Sequence, residues 1–220
     1  VRINPYVPYL KGATLEAYAD DLLQHYGQVF EAVVNPPVPI DEIAELLLGL
    51  DFDWHPIVEQ TGEPILGCLH PERKSILLNE TRRGHFDQYP GSLEFTIAHE
   101  IGHYVLHLVD PHGNQQELPL GDDIDSSLYH RQGRNAATER REFQANKFAA
   151  CLLMPRHLLR EAISDRDIRD WDSLRQLARR FKVSLTALKI RLEDLGWLYV
   201  DPDGRLHRSQ AEANGQMSLL

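Results

Sequence analysis

Cysteine is scarce in this chain: Cys68 and Cys151 are the only two in 220 residues. Two are too few for a disulfide framework, and they stand too far apart for a CxxC metal knuckle. A reducing compartment, the cytoplasm, is therefore expected. Long apolar runs are lacking as well. No stretch approaches the roughly 18 residues of a membrane span, and Val1-Arg2-Ile3-Asn4-Pro5 lacks the apolar core of a signal peptide, so no membrane partner is expected. Positive charge is in deficit: 23 Lys and Arg face 33 Asp and Glu, a formal net charge of −10. That balance disfavours binding of nucleic acid by the whole surface and leaves only a local basic patch as a route to it. Internal repeats and low-complexity blocks are also absent.

What remains is a chain with 42 % hydrophobic residues, enough for an ordinary core. Apolar spacing predicts a helix from Thr14, as its cap, to Phe30, and a second from Asp41 to Leu48 closed by Gly49. Three strand-like runs follow, at 54–59, 65–70 and 75–79, separated by turn residues and read as a small meander. Ser92 can cap a long helix through Leu108. The stretch 112–138 is polar and aperiodic, and 139–154 is a third strong helix ended by Pro155. Beyond it, 173–181 and 184–195 read as two short helices with Ser184 as a cap and Gly196 at the end. Two short strands then flank Asp201-Pro202-Asp203-Gly204, and 209–220 reads as a flexible tail.

The chemistry centres on His99-Glu100-Ile101-Gly102-His103. Residues four apart on a helix are separated by about 400° and about 6 Å, so both imidazoles can converge on one ion while Glu100 touches a water beside it. Two neutral imidazole nitrogens suit zinc, and Glu100 stands where a general base is needed. Leu93, Ile97, Ile101, Val105 and Leu108 are expected to form the buried face. His107 lies about 12 Å along the axis from His99, too far to share its ion, and is assigned a structural or supporting role. The HExxHxxGxxH completion fails because Leu106 and Val109 occupy its Gly and His positions. A carboxylate from the helix at 139–154 is the remaining common solution. Glu142 is preferred to Glu139, with Asn146 one turn on to hold a liganding His in one tautomer and Ala145 and Ala149 to permit close approach. Tyr104, Tyr129, His130 and Arg131 are the candidates for a second oxyanion donor.

Two segments, Phe95-Thr96-Ile97-Ala98-His99-Glu100-Ile101-Gly102-His103-Tyr104-Val105-Leu106-His107 and Glu142-Phe143-Gln144-Ala145-Asn146-Lys147-Phe148-Ala149-Ala150-Cys151-Leu152-Leu153-Met154-Pro155, resemble the ImmA/IrrE family of zinc metallopeptidases. The resemblance extends over roughly 14–196, although the polar stretch 112–138 is longer than the family's. It implies an endopeptidase that cleaves a helix-turn-helix (XRE-type) repressor, with His99, His103 and Glu142 as zinc ligands and Glu100 as the base. Mn²⁺ or Fe²⁺ can occupy the same donors. The expected fold class is α+β: a mostly helical, gluzincin-like peptidase core with a three-stranded sheet over 1–165, a helix-turn-helix-like segment with a β-hairpin over 166–208, and a tail over 209–220. Arg175, Arg179, Arg180, Lys182, Lys189 and Arg191 make 173–196 locally basic, so competing readings are a DNA-binding regulator through that segment or a toxin-antitoxin component with a structural or sensory metal.

Overall fold

The computed structural model describes residues 7–59, 64–108, 136–164 and 166–215. Tyr129, His130, Arg131 and most of the polar stretch lie outside the described residues. The fold is α+β and mostly helical. Helix α1 spans Gly12–Val29, and α2, Ile40–Glu42, runs into a wider π turn at Ile43–Leu47. Strands β1 (Asp51–His55), β2 (Gly67–His70) and β3 (Ser75–Asn79) form one sheet, followed by a 3-10 turn and α3 (Arg83–Gln88). Helix α4 is Ser92–His103, continued by a π turn at Tyr104–Leu108, and α5 is Ala136–Leu153. Three more helices follow: α6 (Arg156–Ile163), α7 (Trp171–Arg180) and α8 (Leu185–Asp194). A hairpin of β4 (Tyr199–Val200) and β5 (Leu206–His207) and a short α9 (Gln210–Ala213) close the described chain.

The sheet is not the expected meander. Its order is β1-β3-β2, with β1 parallel and β2 antiparallel to β3. Hydropathy decides the arrangement. Ser75-Ile76-Leu77-Leu78-Asn79 is buried at every position and takes the centre, whereas β1 exposes Asp51, Asp53 and His55 and takes an edge. Strand β1 also begins three residues before the expected 54 and ends at His55, before Pro56, which has no N–H for a ladder. The connection back to the sheet is organised by buried Asn79. Its side chain accepts from Ile57 N–H at 3.1 Å and donates to Ile65 C=O at 2.8 Å, pinning both ends of the 56–66 link.

Several helix starts also differ. Helix α1 begins at Gly12 after Lys11, which contributes no side-chain cap, so Thr14 is inside the helix rather than at its boundary. Helix α7 begins at Trp171, capped by Asp170, whose carboxylate accepts from Ser173 N–H at 2.8 Å. Ser184 does cap α8, accepting from Ala187 N–H at 3.1 Å. Ser209 likewise caps α9, so the segment read as a tail opens with a helical turn.

One apolar core runs from Ala19 to Leu206 and contains Phe148, Leu152, Leu174, Phe181, Leu188 and Leu192. Within it, Arg191 of α8 is almost wholly enclosed. Its guanidinium donates to Glu16 of α1 at 2.5 and 3.2 Å and to the carbonyl of Met154, just past the end of α5, at 3.2 Å. A buried guanidinium is tolerated only with such partners.

The residue expected to cap α4, Ser92, is its first helical residue instead, and its buried hydroxyl has no hydrogen-bond partner among the described residues. The cap is Gly91 at φ 85°, where a Cβ would lie 2.6 Å from Val183 Cα and 2.7 Å from the Lys182 carbonyl oxygen. Backbone packs on backbone there, so neither side can yield. Gly91→Ala is expected to destabilise the fold by about 2 kcal/mol or more, read as a lowered denaturation midpoint in urea. An unchanged midpoint would show that the α7–α8 turn does not bear on α4.

Candidate metal centre

The HExxH residues lie on α4 as expected, but the helix is buried more completely than a single apolar face requires. Ile97 and Ile101 are in the core, Leu93, Val105 and Leu108 are half-buried, and Thr96, Ala98, Glu100, Gly102 and His103 are enclosed as well. Enclosure comes from α5, which crosses α4 at very short range. A Cβ on Gly102 would sit 3.1 Å from both Cα and the carbonyl oxygen of Ala145 and 3.3 Å from the Phe148 ring. The small residue at 145 was foreseeable from the sequence; its counterpart at 102, inside the HExxH motif, was not singled out. On the other side Gly67 of β2 faces the Thr96 methyl at a distance that leaves no space for a side chain.

This crossing places Glu142 against the two histidines. His99 Nε2 and His103 Nε2 are 3.0 Å apart, and the Glu142 carboxylate oxygens lie 3.4 Å from the first and 3.5 Å from the second. Ligands arranged tetrahedrally at roughly 2.0–2.1 Å from a zinc ion are about 3.3–3.4 Å from one another, so the three donors fit such an ion. Among the described residues they form the one set of His, Cys, Asp and Glu close enough to hold a metal. Glu139 is exposed one turn earlier and is not among them. Neither cysteine is: both are buried free thiols, with burial and the charge of Glu100 pushing Cys68 up to about 12.

Charge in the centre is tightly coupled. Burial opposes the ionised form of Glu142, but hydrogen bonds and charge from His103 and His99 outweigh it and hold the carboxyl well below the usual carboxylate range. His99 feels the converse. Burial disfavours its cation, yet Glu142 and the nearby charge of Glu100 raise its pKa above the ordinary imidazole value. The carboxylate thus favours positive charge at the imidazoles, as a cation site requires. Asn146 Oδ1 lies 3.0 Å from His99 Nδ1, so that ring nitrogen donates and Nε2 is directed at the centre. His107 belongs to the π turn, with its Nε2 3.4 Å from the Arg141 carbonyl; burial and His103 lower its pKa to about 3, keeping it neutral. It ties the motif segment to α5 and is not one of the three donors. Tyr104 is half-buried in the same turn.

The basic segment expected at 173–196 is largely neutralised. Arg175 pairs with Asp172, Lys182 with Glu94, Lys189 with Glu193, and Arg191 is enclosed with Glu16. Among the described residues, no helix is long and apolar enough to cross a membrane.

The family model described as Peptidase_M78, IrrE N-terminal-like domain, matches residues 66–193. No curated protein matches the chain. Among solved structures, a Mycobacterium tuberculosis transcriptional regulator superposes with a TM-score of 0.52 at 17% identity, over 89% of this chain. The chain spans 65% of that structure's length, and at this identity the likeness concerns the fold alone.

Two outcomes follow from the coupled charges. Metal uptake must displace the His99 proton, whose folded pKa lies above 6.5, so affinity should fall about tenfold per pH unit on the acid side of that pKa and level off on the alkaline side. Competition with a chromogenic chelator across that range measures it. Asn146→Ala, which frees the His99 tautomer, should weaken binding about 10–100-fold in the same assay, and an unaltered affinity would remove Asn146 from the centre.

Proposed function

We propose a specific peptidase activity from one premise: this chain belongs to the Peptidase_M78, IrrE N-terminal-like domain family. The proposed activity is zinc-dependent cleavage of peptide bonds in a protein substrate, with His99, His103 and Glu142 holding the metal and Glu100 acting as general base. The observation that carries it is the triangle of donors at 3.0–3.5 Å with a buried carboxylate next to one of them on the same helix. Zinc bound there supplies Lewis acidity, polarising a carbonyl and acidifying water. Mn²⁺ or Fe²⁺ would suit the same donors, since selectivity follows availability.

The protein's own part is proton handling and orientation. Glu100 is enclosed, so its carboxylate meets the reacting water away from bulk solvent. It takes a proton from the attacking water and delivers it to the leaving amine as the peptide bond breaks. Glu142 ionises readily between the imidazoles and contributes the negative charge that keeps a dication from being overly electropositive. Asn146 fixes the His99 ring, and the Gly102–Ala145 contact sets the distance between the two helices that contribute donors.

The proposed substrate is a transcriptional repressor of the helix-turn-helix type, cleaved in the cytoplasm to release its genes. Family membership supports it, together with the α7–α8 pair lying outside the donor cluster. The competing DNA-binding reading has less support, because four of the six basic side chains in 173–196 are already paired within the fold.

The test is incubation of metal-loaded protein with the repressor encoded beside its gene. Glu100→Gln should retain zinc while cleavage falls by at least about two orders of magnitude, the scale of a lost general base. Glu142→Ala should lose zinc, and Glu139→Ala should keep both metal and activity. Wild-type rates in Glu100→Gln, or metal loss in Glu139→Ala, would overturn the assignment.

A further inference from the structure

Positive charge in this acidic chain also gathers just outside the segment read as basic. Helix α6, the turn after it and the exit of β5 bring Arg156, Arg160, Arg166 and Arg208 around Trp197. The guanidinium carbons of Arg160 and Arg156 lie 5.5 and 5.8 Å from the Trp197 ring centre, within cation-π range. Among the described residues, none of these four arginines has an ion-pair partner. Two neighbouring acids, Asp167 and Glu212, form their ion pairs with Arg169, while Glu212 also accepts from the Arg208 backbone N–H and Asp167 feels the Arg208 charge. Guanidinium groups stay charged at every physiological pH, so these side chains keep donors and positive charge available to an anion.

The cluster borders a cavity of about 270 Å³. Ile163, Ile168 and Trp197 give it apolar walls, and Ser164, Arg166 and Arg208 give it a polar edge. Three separate elements contribute to that lining. The volume falls just below the roughly 300–1,000 Å³ of pockets that enclose drug-sized ligands, so a body the size of one ring fits. A guanidinium recognises carboxylate and phosphate through paired N–H donors.

We propose that this cavity binds a small organic anion, a ring-sized apolar body carrying a phosphate or carboxylate. The body lies against Trp197, Ile163 and Ile168, and the anionic group meets Arg166 and Arg208. Arg156 and Arg160, within cation-π range of the indole, add to the attracting field. The site is independent of the metal centre and shares no residue with it.

Calorimetric titration of the metal-loaded full chain tests this, with phenyl phosphate and benzoate as probes and inorganic phosphate and phenol as controls. At least one aryl anion should bind about tenfold or more tighter than inorganic phosphate, while phenol gives no comparable binding. Preference for phenyl phosphate identifies a phosphate ester and preference for benzoate a carboxylate, and either supports the proposal. The double variant Arg166→Gln/Arg208→Gln, at solvent-accessible positions, should lose that affinity about tenfold while keeping its zinc content and melting temperature. The proposal is overturned if neither aryl anion binds below about 10 mM, if the double variant binds as wild type does, or if duplex DNA binds and both aryl anions fail.

Discussion

Everything at the metal centre depends on how near α5 can come to α4. The two helices touch backbone to backbone at Gly102 and Ala145, and that contact brings a carboxylate from one within 3.5 Å of two imidazoles on the other. A dication with three protein donors tolerates little slack, because metal–ligand distances are set to within about 0.2 Å. The helix spacing is thus part of the coordination chemistry. Glycine inside the HExxH motif has a packing reason, separate from the polar residues on either side of it.

The centre was unusually legible because helical spacing converts sequence separation directly into direction. His99 and His103 are four apart and Glu142 and Asn146 are four apart, so each pair had to project from one side of its helix. Ala145 and Ala149 on the second helix also pointed to a close approach of the two pairs. Burial of Glu100 and the π turn at Tyr104–Leu108 were not legible, since both arise from what surrounds α4 rather than from α4 itself. The π turn is where the expected straight run to Leu108 widens and lets His107 turn toward the Arg141 carbonyl.

Sheet order and helix starts were read less well, for a common reason. Local signals such as Thr14 and Ser92 are competent caps, but tertiary contacts choose among competent residues. Gly91 caps α4 because another backbone occupies the space where any side chain would go. Likewise β3 is central because it is the most apolar strand, a comparison across strands that no single segment contains. Charge shows the same limit. Arg175, Lys182, Lys189 and Arg191 look like a basic stripe along the chain, yet each finds an acid in space, whereas Arg156 and Arg160 lie over the Trp197 ring.

The enclosed Arg191 carries a consequence for how the protein is made. Its partners, Glu16 and the Met154 carbonyl, leave the ribosome long before it does, and neither can be satisfied by this side chain until α8 has emerged. Until then the Glu16 carboxylate has only the more distant charges of Arg156 and Lys147 and lacks its hydrogen-bonded guanidinium. The contact between α1 and the end of α5 is therefore complete only once α8 has joined it. A chain truncated before α8 therefore forfeits more than α8.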